Sequence, residues 1–235
     1  MVIAIIAILA GLLLPTLGRA KIAAKNTACK NNMRQLSLAL AMYVGDHSAY
    51  PHAVDANITN TWYLSIGPYY GFSSNAMMCP TFPGEWRIEN AVVWIHGNAY
   101  HRGPSTSNKV AGVSYGYNGF GIASADSTKW LGSFGLGWTV NAGQFTPAVK
   151  DAAVKSPSEM IAMADSFPQP GFTNIYAFLL SLSSQPSPER HNGGCNLGFA
   201  DGHVVTDKNR NVVNNSEHNR RRWNLDHEPH FEIKF

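Results

Sequence analysis

One segment of the chain has the spacing of a serine nucleophile. Residues 112–116 read Gly-Val-Ser-Tyr-Gly, and Asp165 and His191 follow Ser114 in the order of a hydrolase triad. In hydrolases with this pattern the serine lies at a sharp turn between a strand and a helix. Here residues 115–121 read YGYNGFG, and glycine and asparagine disfavour a helix. We therefore predict no catalytic residue and no enzymatic activity.

The three cysteines are candidates for a disulfide or for metal ligation. Cys29, Cys79 and Cys195 lie far apart and form no Cys-x-x-Cys pair, so their spacing indicates neither a thiolate metal site nor a thioredoxin-type redox motif. At most one disulfide can form among them. Cys29 lies on the face of a predicted helix, which leaves Cys79 with Cys195 as the predicted pair if the head is oxidised, although nothing in the spacing determines that pairing.

A histidine-rich segment near residue 200 offers another set of ligands. His191, Asp201 and His203 carry imidazole and carboxylate groups that bind divalent metals. Asp201 and Gly202 are also typical turn residues, flanked by alternating apolar residues in CNLGFADGHVVT, and this pattern predicts a β-hairpin with a two-residue turn of positive φ. We favour the turn, with His191 capping or hydrogen-bonding the hairpin, and predict no metal and no cofactor.

The N-terminal part of the chain is predicted to form a long helix. Residues 1–14 have no polar side chain, and the uncharged run continues to Gly18. Eighteen residues of helix span roughly 27 Å, slightly less than the apolar core of a bilayer. Helical spacing then continues in a single apolar stripe: Ile22, Cys29, Met33, Leu36, Leu40 and Tyr43. The pattern predicts one helix over residues 1 to about 44, apolar first and amphipathic afterwards.

The apolar half of this helix also contains small residues. Ala4, Ala7, Ala10 and Gly11 would permit close approach of a second helix, and Pro15 is expected to kink the helix. A secretory signal cleaved after position 20 and a plain single-span anchor are the competing interpretations. The signal interpretation lacks a charged segment before the apolar run.

Positive charge is concentrated directly after the apolar run. Five basic residues precede the first acidic residue, Asp46: Arg19, Lys21, Lys25, Lys30 and Arg34. The positive-inside tendency alone would place the head in the cytoplasm, a conflict that a basic leader upstream of Met1 would remove. The rest of the chain is close to neutral, with a net charge of +3 overall. Nucleic-acid binding is therefore not predicted, because it requires a basic surface.

The pattern changes after Pro51, where short apolar runs alternate with turn residues. Six runs are candidate strands: Val92 to Ile95, Gly112 to Tyr117, Met160 to Asp165, Ile175 to Leu182, Asn196 to Ala200 and His203 to Thr206. Long loops are predicted at residues 97–109 and 119–143. Because a sheet face must be covered, we predict an α+β fold in which an antiparallel β-sheet head packs on the amphipathic half of the helix. The predicted parts are 1–20, the membrane or filament-core half, 21–50, the amphipathic half, and 51–235, the β-rich head with its hairpin and C-terminal tail.

Several segments together resemble a known family. The first 50 residues after Met1, VIAIIAILAGLLLPTLGRAKIAAKNTACKNNMRQLSLALAMYVGDHSAYP, resemble type IV pilin-like and type II secretion pseudopilin-like proteins with a prepilin-type N-terminal methylation domain, of the planctomycete- and verrucomicrobium-like group. His191, nine intervening residues, then Asp201 and Gly202 match the H-x9-DG signature of that group. Further similar segments are Met78 to Pro80, Ser114 to Asn118, Val154 to Glu159 and Arg222 to Pro229.

The resemblance implies a function and a location. It implies a non-enzymatic assembly subunit of a type II secretion or type IV pilus-like system, held by a single span in the inner membrane with its head in the periplasm or extracytoplasmic space. The expected partners are membrane lipid and other pseudopilins or copies of the chain. The family's leader, cleavage glycine, methylated phenylalanine and glutamate do not occur here, so we expect an N-terminal truncation. The alternative is an anchored protein that does not polymerise and binds an extracellular polysaccharide through its aromatic residues.

Overall fold

The structure is a computed structural model and describes most of the helix, sheet and tail. The described residues are 2–53, 61–73, 75–81, 114–122, 134–137, 140–141, 144–145, 147–165, 179–181, 190–191, 193–212 and 214–231. Two predicted segments, the strand at Val92 to Ile95 and the loop at 97–109, lie outside these ranges.

One uninterrupted α-helix, α1, comprises Val2–His47. This observation confirms the prediction of a single N-terminal helix. Its 46 residues span about 69 Å at 1.5 Å per residue. Pro15 lies inside α1 without ending it. The Thr16 hydroxyl donates to the Leu13 carbonyl at 2.8 Å, so it is satisfied within the helix and needs no water. The polar group is thereby compatible with apolar surroundings.

The two halves of α1 have different surroundings. Every described side chain from Val2 to Ala24 is exposed, whereas Cys29, Met33 and Leu36 are fully buried. The predicted apolar stripe therefore packs on the head from Cys29 onward. Ile22, which the spacing placed on the same stripe, is 53% exposed, because the head reaches along the helix only to about Asn26, whose side-chain oxygen accepts from Asn196 Nδ2 at 3.3 Å.

The head is built on a five-stranded sheet. The strands of the chain are β1 Tyr115–Gly121, β2 Val140–Asn141, β3 Gln144–Phe145, β4 Ile161–Asp165, β5 Leu179–Ser181, β6 Gly194–Phe199 and β7 Val204–Lys208. The main sheet has the order β5-β1-β4-β6-β7, and all its neighbours are antiparallel except β5, which pairs parallel with β1. β2 and β3 form a separate two-stranded ribbon. The predicted α+β fold, a long helix on an antiparallel sheet, is thus observed.

Strand β1 extends further than its sequence indicates. It continues to Gly121 through residues that were expected to begin a loop. The cause is Asn118, whose buried side-chain amide donates to the carbonyls of Ile161 at 2.7 Å and Trp223 at 3.0 Å, while its oxygen accepts from the Gly121 amide. Tertiary hydrogen bonds therefore satisfy a polar side chain in the middle of the sheet.

The β6–β7 hairpin is observed, but its turn differs from the predicted one. The amide of Phe199 donates to the His203 carbonyl at 3.0 Å, which encloses a three-residue loop. Gly202 has a φ of 92°, whereas Asp201 is not among the described residues with positive φ. The Gly202 amide donates to the Phe199 carbonyl at 2.9 Å. This is a type I turn followed by a left-handed glycine, the usual three-residue hairpin connection.

Both faces of the sheet are covered. The remaining helical elements are α2 Trp62–Ser65, α3 Gly67–Tyr70, a 3-10 turn at Asp151–Ala153, α4 Asn209–Val212 and α5 Glu217–Trp223. The core on one face joins Met33 and Leu36 of α1 with Trp62 of α2. The other core includes Val212 and Trp223.

The C-terminal tail is an integral part of the head. Ser216 caps α5 by accepting from the Asn219 amide at 3.3 Å, and Trp223 is fully buried. Beyond α5, the side-chain oxygen of Asn224 accepts from the Ile122 amide at the end of β1. The Leu225 amide donates to the Phe134 carbonyl at 2.7 Å. These bonds fasten the last described part of the chain to its centre.

The close approach of α1 to β6 at Gly198 yields a stability prediction. A Cβ atom at Gly198 would lie 2.7 Å from Ser37 Oγ and 3.4 Å from Met33 Cγ. Gly198→Val should therefore lower the free energy of unfolding by about 1–3 kcal/mol, because the packed interface must move apart. Urea unfolding of the full chain in detergent, followed by tryptophan fluorescence, measures this loss.

The control is Gly45→Ala. Gly45 lies in α1, where an added Cβ meets nothing within 4 Å. Alanine is the better helix former by about 1 kcal/mol, so this variant should be unchanged or slightly more stable. Equal stability of Gly198→Val and the unmodified chain would contradict the described packing.

Candidate functional site

A buried cluster of four ionisable side chains lies between α1 and the sheet. It consists of Cys29, Cys79, Asp165 and His191, and we call it the Cys-Asp-His cluster. One ligand atom from each residue lies within 4.8 Å of all the others. Cys29 and Asp165 have no exposed surface, and His191 is only 5% exposed. Four such groups packed away from water require compensation by one another, by hydrogen bonds or by an ion.

Different elements place the four side chains. Cys29 lies on the buried face of α1, Asp165 ends β4, and His191 lies three residues before β6. Cys79 lies in the segment at 75–81. The backbone amide of Cys79 donates to Ser114 Oγ at 2.9 Å and holds this segment in place. Helix, strand and loop therefore meet at this point.

The distances within the cluster are short. Nε2 of His191 lies 3.2 Å from Asp165 Oδ2 and 3.5 Å from Cys79 Sγ. Cys29 Sγ donates to Asp165 Oδ1 at 3.4 Å and lies 3.2 Å from the hydroxyl of Tyr115. The cluster is thus connected through a single nitrogen of His191 and both oxygens of Asp165.

The charge of Asp165 is compensated by neighbours outside the cluster. The Asn196 amide donates to Asp165 Oδ2 at 2.7 Å. Arg190 Nη1 lies 4.0 Å from Asp165 Oδ1 and donates to the Ser114 carbonyl at 3.2 Å. A charged partner and a backbone donor reduce the cost of burying a carboxylate.

The pKa values of the cluster differ strongly from their ordinary ones. A hydrogen bond from Cys29, assisted by one from His191, lowers the pKa of Cys79 to about 4 against the opposing effect of burial. Burial acts to lower the pKa of His191, but its contacts with Asp165 and Cys79 outweigh this and raise it to about 9. Burial foremost raises the pKa of Cys29 far above its usual range. These shifts favour ionisation of Cys79 over ionisation of Cys29 and favour the protonated form of His191.

The structure does not support the predicted disulfide between Cys79 and Cys195. All three cysteines are free thiols. Alternation along β6 places Cys195 on the same face as Leu197 and Phe199, in the core opposite α1, whereas Cys79 lies in the core on the α1 face. The sheet therefore separates the two sulfur atoms. Burial raises the pKa of Cys195 to about 12, so it stays a neutral thiol.

The two ends of the H-x9-DG segment lie at opposite ends of β6. His191 precedes the strand, whereas Asp201 and Gly202 form the turn after it. Asp201 Oδ1 contacts Nδ1 of His203 at 2.5 Å at the surface. The ligand set of His191, Asp201 and His203 is therefore not assembled, and the turn interpretation holds for Asp201 and Gly202. The imidazole of His191 joins the Cys-Asp-His cluster and does not cap the hairpin.

The serine motif does not form a hydrolase triad. Ser114 is fully buried and leads directly into β1, where a nucleophile elbow would continue as a helix. Asp165 contacts Nε2 of His191, and within the described residues His191 Nδ1 has no hydrogen-bond partner. A triad requires the carboxylate on one ring nitrogen and the nucleophile on the other. The geometry differs from that arrangement.

The predicted assembly residues lie on the exposed half of α1. Ala4, Ala7, Ala10, Gly11 and Pro15 are all exposed, and a Cβ added at Gly11 would meet nothing within 4 Å. α1 is the one helix in the described part of the chain that is long and apolar enough to cross a membrane. Within it the small residues Ala4, Ala7 and Gly11 follow at steps of three and four and share one face.

Sequence spacing missed the Cys-Asp-His cluster because its members are distant along the chain. Cys29 was assigned to the buried stripe of a helix, which is correct, and for this reason it was left out of the predicted disulfide. One signal could have revealed the cluster. The apolar stripe of α1 packs on the sheet, so a metal-ligating side chain on the stripe is expected to lie near residues at the ends of strands. Asp165 and His191 are at such positions.

The charge on Asp165 gives a test of the cluster. Asp165→Asn keeps an oxygen for the Asn196 amide but removes the negative charge beside His191 and Arg190. We expect the free energy of unfolding to fall by about 3 kcal/mol, because the buried Arg190 guanidinium and the His191 ring lose a negatively charged neighbour. Asp201→Asn, at an exposed turn carboxylate, should cost less than about 1 kcal/mol. Equal losses in the two variants, measured by urea unfolding, would contradict a special role for Asp165.

Comparison with known proteins identifies the family. A family profile, SBP_bac_10, described as protein of unknown function (DUF1559), matches residues 18–145, just over half of the chain. The matched region includes Cys29 and Cys79 and ends before the H-x9-DG segment. No curated protein and no solved structure matches the chain. The chain therefore belongs to the DUF1559 family, the pilin-like family that its N-terminal segment resembles.

Proposed function

We propose that this chain is a non-enzymatic structural subunit of a pseudopilus or type IV pilus-like filament. The observation that carries the proposal is the continuity of α1. Its first half presents only exposed, mostly apolar side chains, and its second half is buried by the head, with no break between them. A helix of this kind places a folded head at a fixed distance from a membrane or filament core.

The exposed half of α1 requires an apolar environment. Ten large apolar side chains between positions 2 and 17 are at least half exposed: Val2, Ile3, Ile5, Ile6, Ile8, Leu9, Leu12, Leu13, Leu14 and Leu17. Burying each one stabilises by roughly 1.5–3 kcal/mol, so leaving all of them in water would cost more than about 15 kcal/mol. Lipid removes this cost in a single-span anchor, and neighbouring copies of α1 remove it in a filament.

The same surface suits both environments. Lipid tails and packed helices present similar apolar groups, so no change of fold is needed when the helix passes from membrane to filament. The face formed by Ala4, Ala7 and Gly11 lets a second helix approach closely. Self-association through α1, or association with other pseudopilins, follows from this surface.

The location of the head is part of the proposal. Arg19, Lys21 and Lys25 lie just after the apolar run, and by charge alone they would favour the cytoplasmic side. The resemblance to pseudopilins supports the opposite orientation, with a single span in the inner membrane and the head in the periplasm or extracytoplasmic space. The free-thiol state of Cys79 and Cys195 is compatible with either side, because both are buried.

An anchored receptor for an extracellular polysaccharide is the alternative to a filament subunit. Four of the large aromatic residues in the described part, Trp62, Tyr115, Tyr117 and Trp223, are buried in the two cores and are not available to line a sugar-binding groove, whereas Phe72 and Phe231 are exposed. No observation on the described residues favours this second function. A glycan array on the detergent-solubilised chain would give a specific hit under that alternative.

Cysteine crosslinking in membranes tests assembly. Under mild oxidation in isolated membranes, Ala7→Cys should form a covalent dimer several-fold more efficiently than Leu9→Cys. The two positions lie about 200° apart around α1, so only Ala7 is on the small-residue face. The unmodified chain is the control for the native cysteines, which are buried.

A monomeric anchor gives a different result. Crosslinking of Ala7→Cys and Leu9→Cys would then be equally weak and would increase with expression level, as random collisions do. Together with an absence of filaments, this outcome would eliminate polymerisation.

A further inference from the structure

We propose that the Cys-Asp-His cluster is a structural zinc site that fastens α1 to the head. This inference goes beyond the proposed function and does not depend on it. It assigns a metal to residues for which the spacing of the sequence indicates none.

The donor set is the first argument. Two cysteine sulfurs, one imidazole nitrogen and one carboxylate oxygen converge from Cys29, Cys79, His191 and Asp165. Thiolate and imidazole are ligands of Zn²⁺, whereas Ca²⁺ and Mg²⁺ prefer oxygen throughout. Four protein ligands with no open position are the arrangement of a structural zinc site.

The distances between donor atoms are the second argument. Zinc lies about 2.3 Å from sulfur and about 2.0–2.2 Å from nitrogen or oxygen, so a regular tetrahedron has sulfur–nitrogen and sulfur–oxygen edges of about 3.5 Å and a nitrogen–oxygen edge of about 3.4 Å. The corresponding separations are 3.5 Å for Cys79 and His191, 3.4 Å for Cys29 and Asp165, and 3.2 Å for His191 and Asp165. These three pairs need to move by only a few tenths of an ångström, and the other three pairs of donor atoms lie within 4.8 Å of each other.

Charge is the third argument. Zinc with two thiolates and one carboxylate has a net charge of −1, and the buried guanidinium of Arg190, 4.0 Å from Asp165 Oδ1, brings the site to neutrality. A neutral site can be buried without the penalty of an unpaired ion. Cysteine coordinates zinc as a thiolate and histidine as a neutral imidazole, so any proton that these groups carry is released to solvent on binding.

The consequence is a mechanical link across the chain. The four ligands come from the helix, the segment at 75–81, the end of β4 and the turn before β6. Metal binding would therefore hold α1 to the sheet that forms the head. Removal of the metal should loosen this joint and leave the hairpin at Asp201 and Gly202 intact.

A disulfide between Cys29 and Cys79 is the rival chemistry, because their sulfur atoms are also within 4.8 Å. It would consume the two thiolates that the metal requires. The two states are therefore mutually exclusive, and one experiment separates them.

The experiment uses the full chain purified in detergent, anaerobically and with a phosphine reductant. Elemental analysis by mass spectrometry should find one zinc per chain, and a strong chelator should remove it and lower Tm by roughly 10 °C or more. Added Zn²⁺ should restore Tm. Co²⁺ in its place should give the near-ultraviolet absorption of thiolate-to-cobalt charge transfer, which oxygen ligands cannot produce.

Variants locate the site. Cys29→Ser should weaken Zn²⁺ binding at least about 100-fold, because loss of a direct ligand costs more than loss of an outer hydrogen bond. Cys195→Ser is the matched control, since it removes a buried thiol on the other side of the sheet, and it should keep one zinc per chain. If Cys29→Ser does not fold, the metal content and cobalt spectrum of the unmodified chain still decide the question.

Two results would overturn the proposal. One is an unmodified, reduced chain that retains no Zn²⁺ after desalting and shows no thiolate band with Co²⁺. The other is a chain isolated from its host with a peptide linking Cys29 to Cys79 and a mass lower by two hydrogens. The second result would assign the cluster to a disulfide.

Discussion

The packing of one helical face against one sheet is the interaction on which this molecule depends. Met33, Leu36 and Leu40 of α1 enter the core beside Tyr115 and Tyr117 of β1. Gly198 of β6 permits this approach, since any side chain there would meet Ser37. Without α1 the sheet would expose its aromatic face to water. Without the sheet α1 would be apolar on one side along its whole length, with nothing to orient it.

The parts of the fold that were predictable from sequence are those with a local, periodic signal. The helix could be predicted through Pro15 because an uncharged apolar run precedes and includes it, and apolar residues recur at helical steps after it. The β6–β7 hairpin could be predicted because Asp201 and Gly202 interrupt an alternating pattern. The details that were wrong have tertiary causes. The extension of β1 depends on hydrogen bonds from Asn118 to Ile161 and Trp223, which no window of sequence contains.

The candidate site was less predictable than the fold. Its four residues are separated by 50, 86 and 26 positions in the chain, so no short motif describes them. The predicted disulfide paired Cys79 with Cys195 because Cys29 was assigned to a helix face, and the face of β6 on which Cys195 lies was not considered. Once alternation along β6 is included, Cys195 faces away from α1, and Cys29 is the sulfur that remains for Cys79.

The attachment of the C-terminal tail to β1 determines when the head can fold. Asn118 bonds to the Trp223 carbonyl, and Asn224 bonds to the Ile122 amide, so the hydrogen bonds of β1 and its C-terminal end are not complete until residue 224 is present. Synthesis of α1 precedes that of residue 224 by nearly 180 residues. The buried face of α1 and strand β1 therefore lack their final partners until the tail has been made.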